Sequence, residues 1–196
     1  LCYEVTDRDG PAAAAAGIAE NVRFARSLAA TPRRLLAASF GLHASLTLSD
    51  ATLAISVRAA RELGLGCHIH AAEDVADQEH ALRTAGKRVI HRLGDLGVLG
   101  PQTIAAHCVH VEASEIERLA QTGAWVTHQP RSNMNNGVGV APVEAMRRAG
   151  VNVGLGNDGF SNQMFAEMKT AYLVHKLWQR DPRAMPADAV VRLAYT

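Results

Sequence analysis

The sequence predicts an α/β fold of the (β/α)₈ TIM-barrel class, and three observations carry that prediction. Six short apolar runs alternate with helix-like segments at intervals of roughly thirty residues, the spacing of parallel βαβ units with right-handed crossovers. Five successive runs end in a histidine or aspartate: His43, His70, His107, His128 and Asp158. A barrel gathers its C-terminal strand ends on one face, whereas a doubly wound sheet binds ligands at a crevice where strand order reverses, so this distribution favours the barrel. No linker interrupts the alternation, and residues 1–196 read as one partial barrel domain. Six units are two short of eight, and the missing pair falls before Leu1.

Each element has a local reason. Residues 1–5 read as a strand already under way, which suggests an excerpt of a longer protein; a turn-forming Asp7-Arg-Asp-Gly-Pro11 leads into a helix over 12–30. Residues 34–40 read as a strand ending at Gly41-Leu42-His43. Ser49-Asp50 offers an N-cap for a helix to about Leu63, which Gly64 and Gly66 end. The strand 66–70 follows, then helical periodicity over 73–85 and 87–95 with Gly86 as the break. Residues 103–108 form the next strand, 112–122 a helix closed by Gly123, and 124–128 another strand. The stretch 129–137, Gln-Pro-Arg-Ser-Asn-Met-Asn-Asn-Gly, reads as a loop because it is made of turn residues. A short helix over 141–149, a strand over 151–155 and a helical remainder broken around Asp181-Pro182 and Pro186 complete the chain.

Composition excludes several partners. With 48% hydrophobic and 20% charged residues and a net charge of +1, the chain is an ordinary globular one. Its basic residues are scattered without aromatic interleaving, so no nucleic-acid footprint is visible. The run Ala12 to Ala16 is too short to span a membrane, and nothing resembles a signal peptide. Three unpaired cysteines, Cys2, Cys67 and Cys108, suit a reducing compartment, and a cytoplasmic location is expected. Cys67 and Cys108, each beside a histidine, read as small buried strand residues ahead of the alternative, soft metal ligands.

The chemistry concentrates at Gly66-Cys-His-Ile-His-Ala-Ala-Glu73. Residues i and i+2 of a strand share a face, so His68 and His70 point together, with Glu73 just past the strand end. A hydrolytic metal site needs nitrogen or oxygen ligands, an open position and a nearby acid or base. His70 and Asp158 suit the ligands, Glu73 the proton shuttle, and His107 a second ligand or an electrophile. Each residue singly has an ordinary alternative. Taken alone, His107 reads first as a core histidine satisfied by a backbone carbonyl, Asp158 as a turn former in Asn-Asp-Gly, His128 as a cap before Pro130, and His43 as solvent-facing. His110 reads as orienting a neighbour, and His80, His91 and His175 as surface or packing residues on helices. The joint placement at strand ends favours a site.

The motifs HIHAAE at 68–73, AAHCVH at 105–110, HQPRSNM at 128–134 and GLGNDG at 154–159, in this order, resemble the cytosine deaminase, guanine deaminase and chlorohydrolase branch of the amidohydrolase superfamily. Gly41-Leu-His-Ala-Ser45 and Met164-Phe-Ala-Glu167 match as well, and SsnA-type aminohydrolases are the most similar group. The resemblance covers essentially the whole chain. It implies a metal-dependent hydrolase barrel of which these residues supply strands three to eight. It further implies that His70 and Asp158 bind a divalent metal, zinc or iron; that Glu73 protonates the substrate ring; that His107 polarises the attacked centre; and that His43 contacts the substrate. Two departures stand out. The His-x-His of the family's first strand has no counterpart here, and Asn157 and Asn162 replace a usual Thr and a substrate-facing Ser.

The expected activity is hydrolysis of a non-peptide C–N bond, by deamination of a purine, pyrimidine or related small heterocycle. The alternatives are removal of chloride from a heterocycle, or a catalytically inactive barrel piece that only binds. If the chain ends at these 196 residues, the unpaired edges of a six-unit open sheet predict assembly with another copy or poor solubility.

Overall fold

In the computed structural model, residues 1–31 and 35–195 are described. Their centre is a parallel sheet of β1 (Phe40–Ala44), β2 (Cys67–Ala71), β3 (Ile104–His107), β4 (Trp125–His128) and β5 (Asn152–Leu155), in strictly sequential order. A doubly wound sheet would reverse its order, and this one does not. It is an arc of (β/α)-barrel wall, with every strand's C-terminal end on the same side.

The helices follow the sequence signals closely. They are α1 (Pro11–Ala30), α2 (Asp50–Glu62), α3 (Val75–Ala85), α4 (Val89–Asp95), α5 (Ala113–Thr122), α6 (Pro130–Asn136), α7 (Val143–Arg148), α8 (Met164–Gln179) and α9 (Ala187–Tyr195). Ser49 caps α2 by accepting from the Thr52 amide at 3.2 Å. Gly86 and Gly123 close α3 and α5 in the left-handed conformation that glycine adopts without strain. The core lies between sheet and helices: Cys67, Ile69 and Ala71 of β2 pack with Ile90, Leu93, Leu119 and Val126. His68 and His70 therefore occupy the other face, the barrel interior.

Three expectations need correction. Residues 1–5 form no full strand: only Val5 bridges to Leu42. The reason is Asn21 of α1, whose amide takes the Tyr3 N–H at 2.9 Å and the Tyr3 carbonyl at 2.8 Å, the groups a ladder would use. The segment crosses so close to β1 that a side chain at Gly41 would strike the Tyr3 carbonyl. The strand expected from residue 34 begins only at Phe40; Arg34 lies outside the described residues, and Leu35 is exposed. The turn-rich stretch 129–137 is largely helix, α6, ended by Gly137 with φ 67°. Proline at its first turn sacrifices no hydrogen bond, and Pro130, Ser132 and Asn133 are buried, so tertiary packing overrides weak propensity.

Candidate active site

Four of the five strand-end residues face one site. At the end of β2, His70 hydrogen-bonds through Nδ1 to the His43 carbonyl. A carbonyl only accepts, so Nδ1 carries the proton and Nε2 presents its lone pair. That Nε2 lies 3.9 Å from Glu4 Oε1. The His70 ring stacks on His107, centroids 5.5 Å apart, with His43 edge-on at 5.7 Å. His43 Nδ1 pairs with Thr47 Oγ1 at 2.9 Å, and burial pushes its pKa down.

His107, nearly fully buried, is the pivot. Its Nε2 lies 3.7 Å from Glu73 Oε2 and 3.9 Å from Asp158 Oδ2. Strict alternation would place it on the Ala105 face, toward the core, because it pairs in register with buried Ala71. A left-handed φ of 70° at His107 instead re-aims the side chain beside His70. Ala72 (φ 50°) and Cys108 (φ 49°) are left-handed too, each at a cost of about 1–2 kcal/mol. Hydrogen bonds hold this strained corner. Asp77 accepts from the Ala72 amide at 2.6 Å, His110 donates its amide to the Ala72 carbonyl at 2.9 Å, and Cys108 donates to Ala71 at 2.9 Å. Glu73, next in the chain, thereby has a fixed origin.

Asp158 is held at both oxygens, Oδ2 by the Ser132 hydroxyl at 2.6 Å and Oδ1 by the Gly159 amide at 2.7 Å. Partial burial opposes its charge, but these bonds and the nearby imidazoles of His107 and His70 outweigh it, leaving the carboxyl below its ordinary range. Asn157 and Asn162, the two departures from the family pattern, bond to each other at 2.6 Å.

His128 does not join the site. It shares a face with core residue Val126 and meets His175 of α8, Nε2 to Nε2 at 3.2 Å. Burial in this enclosed pair pushes the His128 pKa down to about 3 and that of His175 to about 4. Cys67 and Cys108 are buried as expected, and burial pushes the Cys67 thiol up to about 12 and Cys108 higher still, so neither is a thiolate ligand at neutral pH.

Sequence reading missed the supporting residues: Glu4, Asp77, Gln129, Ser132, Asn133 and Asn136. Asn133 Oδ1 meets His107 Nδ1 at 2.8 Å, Gln129 Oε1 accepts the His107 amide at 3.0 Å, and Asn136 donates to Glu73 at 3.2 Å. Only Gln129, Ser132 and Asn133 fall in the HQPRSNM motif, and nothing in the sequence marked Glu4, Asp77 or Asn136.

The family model described as the amidohydrolase family matches residues 3–194. The chain belongs to the amidohydrolase family. Among its relatives, a 5'-deoxyadenosine deaminase of Methanosarcina mazei is 41% identical over 179 residues, 89% of this chain and 41% of the relative. A 5-methylthioadenosine/S-adenosylhomocysteine deaminase of Desulforudis audaxviator is 37% identical over 181 residues, 90% of this chain and 42% of the relative. Among solved structures, an adenosine deaminase from Xanthomonas campestris with bound zinc superposes with a TM-score of 0.85 at 28% identity, covering 92% of this chain and 42% of that one. A guanine deaminase from C. acetobutylicum gives 0.83 at 19% identity, covering 92% and 45%, and attests the fold alone. The chain thus spans less than half the length of these relatives.

The amidohydrolase family is metal-dependent, and the donor chemistry here fits a divalent cation. The His70 Nε2 lone pair faces the site, and Glu73 Oε2 and Asp158 Oδ2 converge on His107 Nε2 at 3.7 and 3.9 Å. Among the described residues, however, no three His, Cys, Asp or Glu side chains gather tightly enough to complete a metal site. No helix among the described residues is long and apolar enough to cross a membrane.

Proposed function

We propose that this site carries out hydrolytic deamination of an amino-bearing purine, with adenine nucleosides as the favoured class. The convergence of Glu73 and Asp158 on His107 Nε2, beside the free Nε2 of His70, is the observation that supports it most. The deaminase names of the relatives narrow the substrate to the purine class. His70 Nε2 and Asp158 would hold a divalent cation, zinc by preference and iron as the alternative, and that cation supplies the Lewis acidity that acidifies a water.

This chain's own residues then move the protons. Asp158 Oδ2 takes a proton from water as its oxygen attacks the amino-bearing ring carbon. Glu73 gives a proton to the adjacent ring nitrogen, so that the added electron pair has a place to rest. His107 Nε2, between the two carboxylates, fixes the attacked centre against them. Asp158 returns its proton to the amino group, the C–N bond breaks as the hydroxyl proton passes back to Glu73, and ammonia leaves with a ring carbonyl in its place. His43, edge-on to His70, lines the substrate side. Water is consumed and ammonia released in equal amounts.

The test is a hydrolysis screen on the protein expressed from its natural reading frame. Adenosine, 5'-deoxyadenosine, guanine and a chlorinated triazine are offered with zinc or iron added. Ammonia from the adenine nucleosides, abolished by a chelator and restored by metal, is the expected result. Chloride release alone, or no product from any purine, overturns the reading.

A further inference from the structure

Three consecutive residues of α6, and a fourth one turn on, reach separate parts of the site. Arg131 is the anchor: its amide donates to the buried carboxylate of Glu167 at 3.3 Å, and its guanidinium donates to Glu167 at 3.4 Å and to Ser161 at 3.2 Å. The same guanidinium stacks on Phe160 at 5.0 Å, so α6 is tied to the segment that follows Asp158. Ser132, 5% exposed, spends its one hydroxyl proton on Asp158 Oδ2 at 2.6 Å. Asn133, 1% exposed, holds His107 Nδ1 at 2.8 Å. Asn136 holds Glu73 Oε1 at 3.2 Å.

We infer that α6 is the positioning element of this site. Ser132 fixes the rotation of the Asp158 carboxylate, and Asn133 fixes the plane of the His107 ring, so that Oδ2 and Nε2 face each other. None of these α6 residues takes or gives a proton in the reaction, and none lies among the convergent acceptors. Their contribution is geometric: His107 ends β3 and Asp158 lies three residues beyond the end of β5, and β4 separates those two strands. The element that bridges both is the short helix leaving β4. A short helix tied down at Arg131 does this with less freedom than a loop, since its backbone torsions are fixed and its side chains start from fixed positions. The left-handed backbone at His107 adds a reason: a side chain re-aimed by strain needs a partner at its far edge to keep the ring from relaxing toward the core. Gln129, just before the helix, supplies a second restraint by accepting the His107 amide.

The catalytic consequence rests on the proposed deamination; the geometric assignment does not, and the experiment separates the two. Ser132→Ala and Asn133→Ala are made in the protein from its natural reading frame, with metal in excess. Loss of partners that orient reacting groups typically costs ten- to a hundredfold, so kcat is expected to fall by about that factor in each, with KM within about threefold of native. In metal-free protein labelled with ¹⁵N in histidine, Asn133→Ala is expected to shift the His107 Nδ1 resonance and leave the His175 ring unmoved. Ser132→Ala removes only a buried hydroxyl, and it decides the question if Asn133→Ala does not fold. A Ser132→Ala kcat within about twofold of native, a loss confined to KM, or an unmoved His107 Nδ1 resonance overturns the inference. A native protein that deaminates no purine overturns the functional reading instead, while the nitrogen resonance still tests the geometry.

Discussion

At the scale of single residues, the side chains proposed to bear chemistry could be named from the sequence, and the ones that hold them in place could not. His70 and Glu73 could be read because alternation and a strand end fix where they point. His107 points into the site only through its φ of 70°, and alternation alone would have turned it toward the core. The same alternation would have excluded His128, which shares a face with Val126. Asp77, Ser132 and Asn133 bond to residues 5, 26 and 26 positions away, and no local pattern announces such pairings. The buried His128–His175 pair carries a pH prediction. Both folded pKa values, about 3 and about 4, lie below the ordinary histidine value of 6.5, so the fold disfavours the charged rings. Their stability is complete above pH 6.5 and is lost as pH falls toward the folded values. Each ring should cost on the order of 2 kcal/mol at pH 5. Urea melts from pH 7 to pH 5 should show the loss, and His175→Gln should roughly halve it; an equal loss in the variant would assign the acid sensitivity elsewhere.

At the scale of elements, helices with caps were predicted to within a few residues, and the misreadings have specific causes. The stretch 130–136 lacks helical hydrophobic periodicity, so its helix is dictated by burial rather than by pattern. The first segment reads as a strand by its composition, yet Asn21 of α1 spends its amide on Tyr3 and leaves Val5 alone to bridge. Replacing Asn21 by Leu would take their partner from the half-buried backbone groups of Tyr3 and the buried amide of Gly41, at about 1–3 kcal/mol. Hydrogen exchange at the Tyr3 and Gly41 amides should then accelerate while β3 and β4 keep their protection. Uniform acceleration across the sheet would mean that Asn21 supports the whole arc rather than this one segment. Asp77 plays a comparable part between β2 and α3: it accepts from Ala72 at 2.6 Å and from Ser45 at 2.6 Å. Asp77→Ala should lower the melting temperature by several degrees and loosen Glu73. An unchanged kcat in that variant would show that the Ala72 clamp is dispensable.

At the scale of the molecule, sequential parallel strands put every candidate group on one rim, which is why six weak motifs in the right order were more informative than any one of them. The arc also leaves the outer edge of β5 without a strand partner among the described residues. Nearby, α8 exposes Phe165, Leu177 and Trp178. Expressed as these 196 residues alone, the protein should self-associate through edge and apolar surface, and sedimentation should find assemblies at micromolar concentration. A stable monomer would show that the edge is protected by other means. The central claim, that Glu73 and Asp158 act across His107 in deamination, is tested most directly by Glu73→Gln. Ammonia release from an adenine nucleoside is measured for native and variant protein from the natural reading frame, with metal content determined on the same samples. The expected result is a kcat lower by about a hundredfold or more at unchanged metal content, because a general acid contributes on that order. Undiminished ammonia release in the variant would contradict the account.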